Sequence, residues 1–286
     1  MEQLVVRGDG LVFSARTSGR RDGRAVVLLH GFPQTSYCWR HQLDALETAG
    51  HRGIALDQRG YTARARPANV ADYRIELLVN DVLAVADALD LERFDLVGHD
   101  WGAMVAWVTA ASRPERVRTL TAVSVPHPRA FAAALGADGD DQRQRSSYIE
   151  VFRAEGGVAE RALLGEDGSG DGLRRMFDAT GLPSDTDEVE QFVSAMLEPG
   201  AMTAALNWYR ASDPGALAAV GTVEVPTLFV WSTADVAIGR RAAEATADWV
   251  TGPYRFEVLE GVSHWIPETA PDALNRLLLD HLATQP

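Results

Sequence analysis

Short apolar runs alternate along this chain with longer segments in which apolar residues recur every three or four positions. Near the N-terminus, residues 4–7 and 11–17 alternate between apolar and polar, and Gly8, Asp9 and Gly10 separate them. Asp-Gly supplies the positive φ angles of a tight turn, so this segment predicts a β-hairpin. Further strands are predicted at residues 25–30, 53–57, 94–97, 118–125, 227–232 and 254–259.

Helical spacing is found between these predicted strands. Helices are expected at residues 36–49 and 75–91, directly after residue 102, and at about 240–250 and 272–283. Strands that alternate with helices form a mostly parallel sheet through right-handed crossovers, with helices on its faces. The chain is therefore predicted to be an α/β protein whose ligands bind at the carboxyl ends of the strands.

The pattern changes after residue 128 and returns near residue 214. Residues 129–213 contain no convincing strand, and their helical segments are interrupted by polar, glycine-rich pieces. We interpret residues 1–128 and 214–286 as two parts of one core. Residues 129–213 are interpreted as an inserted helical cap that covers the end of the sheet.

Residues 98–102 read Gly-His-Asp-Trp-Gly between a predicted strand and a predicted helix. This spacing is typical of a nucleophile elbow, in which the nucleophile occupies a strained strand-to-helix turn. The two glycines let strand and helix approach closely, and the helix N-terminus favours an anionic side chain. Asp100 is the candidate nucleophile, although a tight turn with an aspartate N-cap would have the same five residues.

Two more candidates follow strands at the same predicted edge of the sheet. Asp235 comes just after the strand at 227–232, and His264 comes shortly after the strand at 254–259. With Asp100 they run in the order nucleophile, acid, histidine. Histidine takes and returns protons near neutral pH, and a carboxylate holds it in one tautomer. Either residue alone could be an ordinary loop residue, but the order and shared position of all three predict a catalytic triad.

Composition and charge exclude several classes of partner. The net charge of −13 argues against nucleic acid and against an anionic membrane surface. No apolar run approaches the roughly 20 residues that span a bilayer. Cys38 is the single cysteine, so no internal disulfide can form, and residues 1–4 lack the pattern of a signal peptide. These observations favour a cytoplasmic location, and the absence of lysine suggests a high-GC bacterial genome.

The sequence also lacks the patterns typical of metal and phosphate-cofactor sites. No group of histidine, cysteine and acidic residues has the spacing of metal ligands. No glycine-rich phosphate loop follows a predicted strand. We therefore predict neither a metal nor a cofactor.

These motifs resemble those of the α/β-hydrolases, and within that superfamily those of the soluble epoxide hydrolases. The resemblance extends over nearly the whole chain and rests on His-Gly-Phe-Pro at 30–33, Asp-Gln-Arg-Gly at 57–60, the elbow at 98–102, Asp235 and His264. It implies the α/β-hydrolase fold with an inserted helical cap. It also implies an oxyanion hole formed by the backbone N–H groups of Phe32 and Trp101, and a cis peptide bond before Pro33.

The predicted cap contains two segments that are similar to those bearing the epoxide-binding tyrosines of these enzymes. Tyr148 lies in Tyr-Ile-Glu-Val-Phe at 148–152, and Tyr209 lies in Asn-Trp-Tyr-Arg at 207–210. The resemblance implies that both hydroxyls hold and protonate the epoxide oxygen. On spacing alone, the two tyrosines could equally be packing residues with solvated hydroxyls.

The resemblance implies an epoxide hydrolase that converts a small apolar epoxide to a vicinal diol through an ester on Asp100. The nearest alternative is a haloalkane or haloacid dehalogenase with the same triad, because Trp101 stands where dehalogenases have a halide-binding tryptophan. Phe32, however, offers no side-chain N–H to a halide. A second alternative is a non-catalytic ligand-binding homologue. An ordinary esterase is disfavoured because aspartate replaces serine at the elbow.

Trp101, Trp208 and Trp265 are predicted to line an apolar substrate pocket, although core packing explains Trp208 equally well. The sequence leaves the particular epoxide open, together with the choice between a monomer and a homodimer.

Overall fold

The computed structural model describes residues 1–139 and 141–284, and within them eight strands form one sheet. The strands are β1 (Glu2–Gly8), β2 (Leu11–Ser18), β3 (Ala25–Leu29), β4 (Arg52–Leu56), β5 (Phe94–His99), β6 (Val117–Val123), β7 (Thr227–Ala234) and β8 (Tyr254–Ser263). Their order across the sheet is β1-β2-β4-β3-β5-β6-β7-β8. The pairs β1/β2 and β2/β4 are antiparallel, and the other neighbours are parallel.

Helices connect the parallel strands and pack on both sides of the sheet. The core helices are α1 (Arg40–Thr48), α2 (Ile75–Ala88) and α3 (Trp101–Ser112) before β6, with α12 (Arg240–Glu244), α13 (Ile266–Thr269) and α14 (Pro271–Ala283) after β7. Short 3-10 helices cover Ser36–Trp39, Ala63–Ala65, Val70–Tyr73 and Ala245–Trp249. The predicted α/β architecture with a mostly parallel sheet is confirmed.

A helical segment lies between β6 and β7. It contains α4 (Pro128–Gly136), α5 (Gln142–Arg145), α6 (Tyr148–Arg153), α7 (Val158–Leu164), α8 (Asp171–Ala179), α9 (Asp187–Met196), α10 (Ala201–Ala211) and α11 (Pro214–Ala218). The predicted end of the insertion, residue 213, falls between α10 and α11. Among the residues described, no helix is both long enough and apolar enough to cross a membrane.

The central strands are apolar on both faces because both faces are covered. Every residue of β3, β4 and β5 is buried, which explains the continuous apolar runs that predicted them. The N-terminal hairpin also forms as predicted, since Asp9 and Gly10 take φ angles of 48° and 78° at its turn.

Several elements differ from the sequence prediction. The helix expected at 36–49 begins as the 3-10 helix Ser36–Trp39 and continues as α1. The helix expected at 240–250 is divided into α12 and the 3-10 helix Ala245–Trp249, and Val250 lies outside both and forms a parallel bridge with Val223. The last strand runs on to Ser263, four residues beyond its predicted end at residue 259. There the hydroxyl of Thr233 accepts a hydrogen bond from the Gly261 amide, which keeps β8 beside β7.

Candidate active site

Asp100 lies at a strained turn between β5 and α3. Its backbone angles are φ 53° and ψ −123°, a conformation that a residue with a side chain rarely adopts. A Cβ atom on Gly98 would overlap the backbone of Gly102, and one on Gly102 would overlap the carbonyl group of Leu29. The two glycines are thus required by close backbone approach, as expected for a nucleophile elbow.

The two carboxylate oxygens of Asp100 have different surroundings. Oδ1 accepts a hydrogen bond of 2.7 Å from the backbone N–H of Phe32. Oδ2 lies 3.6 Å from Nε2 of His264. Burial acts to raise the pKa of Asp100, but hydrogen bonding and positive charge from His264, together with the backbone N–H of Trp101, lower it below the ordinary value. Asp100 is therefore ionised at neutral pH.

The loop that carries Phe32 is fixed by buried polar contacts. Nε2 of His30 accepts a hydrogen bond from the Gln58 amide at 3.2 Å, so Nδ1 carries the proton and donates to the Gly31 carbonyl at 3.0 Å. Burial lowers the pKa of His30 to about 4, which keeps this arrangement neutral. The peptide bond between Phe32 and Pro33 is cis, as the resemblance implied.

His264 is held between two carboxylates. Its Nδ1 lies 2.8 Å from Oδ2 of Asp235, while its Nε2 faces Asp100. Oδ1 of Asp235 accepts the amide hydrogens of Ala237 and Ile238, at 2.8 Å and 2.9 Å. These contacts leave Asp235 one orientation, and they set the tautomer of the imidazole.

The charge state of His264 follows from these neighbours. Burial acts to lower the pKa of the imidazole, but the negative charges and hydrogen bonds of Asp235 and Asp100 outweigh it and raise the pKa to about 10. With both carboxylates ionised, His264 is therefore an imidazolium near neutral pH. Loss of either negative charge would release its proton more readily.

Side chains from neighbouring strands hold the backbone of the His264 loop. The carbonyl oxygen of His264 accepts hydrogen bonds from Nε2 of His99 at 2.9 Å and from Oγ of Ser124 at 2.8 Å. Ser232 donates its hydroxyl to the carbonyl of Ser263 at 2.9 Å. Burial lowers the pKa of His99 to about 4, so this histidine remains neutral. Sequence analysis missed the two serines; a serine at the carboxyl end of an apolar strand is the signal that could have found them.

Tyr148 and Tyr209 meet opposite Asp100. Tyr148 begins α6 and Tyr209 lies in α10, and their ring centroids are 6.3 Å apart. Tyr209 also packs edge-on against Phe32 and Trp101, with centroid distances of 5.3 Å and 5.1 Å. Burial is the main cause that raises the pKa of each tyrosine, and the charge of Asp100 adds to it. Both hydroxyls therefore stay protonated and can donate hydrogen bonds.

Two cavities meet at these three residues. Lobe 1 has a volume of about 160 Å³, lobe 2 has about 180 Å³, and Asp100, Tyr148 and Tyr209 line both. The rest of lobe 1 is mostly apolar and includes Met104, Val125, Phe131, Leu135, Ile149 and Leu217. Lobe 2 extends past His264 and includes Phe32, Phe152, Met176, Thr180, Val236 and Trp265.

The three tryptophans of the sequence prediction occupy different places. Trp101 lines lobe 1 and Trp265 lines lobe 2. Trp208 lines neither lobe: it is buried, its Nε1 donates to the carbonyl of Arg59 at 2.9 Å, and its ring packs against that of Trp101 at 5.9 Å. Core packing, the alternative that the sequence left open, describes the position of Trp208.

The described part of the chain contains no group of three or more histidine, cysteine or acidic residues arranged to hold a metal ion. The polar groups that converge on the lobes are instead a carboxylate, a carboxylate-bound histidine and two neutral phenols. Such a set provides a nucleophile, a base and two hydrogen-bond donors.

Comparison with known proteins agrees with the fold. A family model for the alpha/beta hydrolase fold matches residues 24–271. The chain belongs to this family. It is 35% identical over 283 residues to AB hydrolase superfamily protein YfhM of Bacillus subtilis, covering 98% of this chain and 97% of the relative.

Several similar proteins are named epoxide hydrolases. Epoxide hydrolase A of Mycobacterium tuberculosis is 32% identical over 313 residues, with 98% of this chain and 97% of the relative covered. The crystal structure of Epoxide Hydrolase A from Mycobacterium thermoresistibile superposes with a TM-score of 0.85 at 31% identity, covering 99% of this chain and 98% of that one. Within its family, the chain therefore resembles the epoxide hydrolases.

Proposed function

We propose that this protein is an epoxide hydrolase, which opens an epoxide to a vicinal diol through a covalent ester on Asp100. The observation that carries the proposal is the position of Asp100 opposite Tyr148 and Tyr209, where both lobes meet. An ionised carboxylate needs no proton removed before it attacks saturated carbon. Two neutral phenols suit a leaving oxygen, which must receive hydrogen bonds as it acquires negative charge.

In the first step, Oδ2 of Asp100 attacks an epoxide carbon and the carbon–oxygen bond on the far side breaks. Oδ2 is the attacking atom because Oδ1 is already bound by the Phe32 amide. Tyr148 and Tyr209 donate hydrogen bonds to the departing oxygen, and one of them transfers its proton. The product of this step is a hydroxyalkyl ester on a neutral Asp100.

In the second step, His264 acts as a base toward water. Ester formation removes the negative charge of Asp100, so the pKa of His264 falls and the imidazolium gives up the proton that restores the tyrosine. The neutral imidazole then takes a proton from a water molecule that attacks Cγ of Asp100. The developing oxyanion is Oδ1, which the N–H groups of Phe32 and Trp101 stabilise; each such donor contributes about 3 kcal/mol. Cγ–Oδ2 breaks, and the product oxygen receives the proton from His264. The second proton of the attacking water then passes from Asp100 to His264, which restores the carboxylate and the imidazolium.

The helical segment α4–α11 is proposed to act as the cap, with residues 129–213 as its main part. It supplies both tyrosines and most of the apolar wall of lobe 1, and it keeps bulk water away from the ester. Leu217 of α11 also lines lobe 1, so the proposed cap extends five residues beyond residue 213, to the end of α11.

A paired turnover assay tests the proposal. The purified protein would be given a panel of aryl and alkyl epoxides and a matching panel of chloro- and bromoalkanes. We expect diol formation from the epoxides, and its loss in the double variant Tyr148→Phe/Tyr209→Phe. Tyr254→Phe is the matched control, because Tyr254 lies at the start of β8, away from the lobes.

The same assay distinguishes an epoxide hydrolase from a dehalogenase and from a ligand-binding homologue. Halide release that is unaffected by loss of both hydroxyls would show a dehalogenase and overturn the proposal. Saturable binding of an epoxide without turnover or covalent labelling would indicate a ligand-binding homologue instead.

A further inference from the structure

Lobe 1 connects the nucleophile to a cation at the surface. Its floor is formed by Asp100 and the two tyrosines, and its walls are mostly apolar. Among the described residues that line it, Arg153 is the only one with a positive charge, and it is exposed at the end of α6. A ligand that extends from Asp100 to the surface through lobe 1 thus passes mostly apolar wall and can reach the guanidinium of Arg153.

Arg153 lacks a carboxylate partner in the part of the chain that is described. Its contact is a hydrogen bond of 3.2 Å from Nη2 to the backbone carbonyl of Ser212. The two acidic residues nearest to it in sequence, Glu150 and Glu155, are exposed and form no ion pair with it. Asp213, which follows Ser212, accepts the Gly215 amide at the start of α11 instead. The guanidinium is therefore available to an anion.

Among the described residues that line lobe 2, the one arginine is already paired with a carboxylate. Its arginine, Arg145, donates from Nε to Asp141 at 2.7 Å and from Nη1 to the backbone carbonyl of Asp235 at 2.7 Å. The Asp141 carboxylate already neutralises its charge. The two lobes thus differ in charge at their outer ends, and lobe 1 is the one suited to an anionic group.

We propose that Arg153 binds a carboxylate at the far end of the substrate, so that the preferred substrates are epoxides carrying an apolar chain with an acidic terminus. The proposal rests on the proposed epoxide hydrolase function and names its substrate class. A planar guanidinium matches a carboxylate through two parallel hydrogen bonds. The protein has a net charge of −13, which repels anions at long range, so a local cation is needed for an acidic substrate to enter.

The test uses terminal epoxides with straight chains of increasing length, each prepared as the free carboxylate and as its methyl ester. The measured quantity is the ratio of kcat/KM for acid over ester at each length. We expect the ratio to exceed one by about two- to fivefold at the chain length that spans lobe 1, and to be near one for shorter chains. The preference should weaken as salt rises from 0.02 M to about 0.5 M, because salt screens an exposed charge pair.

Substitutions assign the effect to this arginine. Arg153→Gln should bring the ratio to one or below, and Arg153→Glu should reverse it. Arg276→Gln is the matched control, since Arg276 is an exposed arginine on α14 that lines neither lobe, and it should keep the wild-type ratio. Arg153→Glu should in turn favour an epoxide whose chain ends in an ammonium group, an outcome that a purely structural role of Arg153 would not produce.

The possible outcomes separate this inference from the function on which it rests. If neither acids nor esters are opened, the proposed function fails. If esters are opened but acids are not preferred at any length, or if Arg153→Gln keeps the preference, the role of Arg153 is overturned while the epoxide hydrolase function stands.

Discussion

Ser124 donates its hydroxyl to the backbone carbonyl of His264 across 2.8 Å, which joins the end of β6 to the loop that follows β8. Ser124 is fully buried and has a φ angle of 66°, so the chain bends sharply to aim this hydroxyl. Backbone strain at a buried donor, here beside His264, is typical of functional sites. We infer that Ser124 positions the imidazole.

Ser124→Ala tests this positioning. Loss of one hydrogen bond should lower the free energy of unfolding by about 1 kcal/mol, since His99 still binds the same carbonyl. The hydrolysis of the ester should slow more than its formation, because only the second step needs His264 as a base. Rapid-mixing kinetics on one substrate would separate the two rates.

Ser232→Ala is the comparison for that experiment, because Ser232 binds the carbonyl of Ser263 rather than that of His264. It should cost similar stability with a smaller effect on hydrolysis. Equal slowing of both steps in Ser124→Ala would contradict a role in positioning.

Replacement of the base should trap the intermediate. In His264→Gln, Asp100 keeps the Phe32 amide as a hydrogen-bond donor and should still attack the epoxide. Water activation should be lost, with hydrolysis slowed by at least about 10²-fold. Mass spectrometry of the intact protein should find a gain equal to the mass of one substrate, on a peptide that contains Asp100.

Asp100→Ala is the control for that adduct and should give none. Failure to find the ester in His264→Gln, under conditions in which the wild type turns over, would count decisively against a covalent mechanism.

The pKa of His264 should depend on the charge of Asp100. In the wild type the two carboxylates overcome the effect of burial and raise this pKa to about 10, so the imidazole is charged below pH 10 and neutral above it. Asp100→Asn removes one negative charge, which disfavours the imidazolium and should move the pKa down. An NMR titration of the imidazole nitrogens would measure both values.

That shift predicts how the second step depends on pH. Because the ester also removes the charge of Asp100, the rate of ester hydrolysis should rise with pH and level off below pH 10. A plateau that begins only near pH 10, or an unchanged pKa in Asp100→Asn, would show that Asp100 does not control the proton on His264.

Substitution of Trp208 should change stability but not KM, whereas substitution of Trp265 should change KM. Trp208→Phe removes the hydrogen bond to the Arg59 carbonyl and should reduce stability by about 1 kcal/mol, with little change in KM. Trp265→Phe changes the wall of lobe 2 and breaks the 2.9 Å contact with Oγ1 of Thr180, so KM should change. Chemical denaturation and steady-state kinetics on both variants would check this, and a selective rise of KM in Trp208→Phe would return Trp208 to the substrate pocket.

The fold class could be predicted from the sequence because the buried parallel strands and the elbow have local signals. β3 is a continuous apolar run, β5 is mostly apolar, and Gly98 and Gly102 mark the turn that Asp100 requires. These features depend on neighbours in the chain, and they could be predicted without a structure.

What the sequence could not supply are contacts between distant segments. The hydrogen bond from Ser124 to His264 joins residues 140 positions apart, and a serine at a strand end does not identify the distant carbonyl that it binds. The bridge of Val250 to Val223, which involves the last residue of the helix expected at 240–250, is another case. The division of the pocket into two lobes depends on how α6 and α10 pack together, which local patterns do not determine.

The two oxygens of Asp100 have different surroundings, so in the proposed mechanism only one of them is exchanged with solvent. If Oδ1 stays on the Phe32 amide throughout the cycle, it is the atom with which the protein was synthesised, and it never enters product. Oδ2 leaves with each diol and is replaced from solvent. In heavy-oxygen water the first diol released by each molecule should be unlabelled, every later one should carry one heavy atom, and Asp100 should never hold more than one. In the proposed mechanism, Asp100 thus keeps Oδ1 throughout and takes a new Oδ2 from water at every turnover.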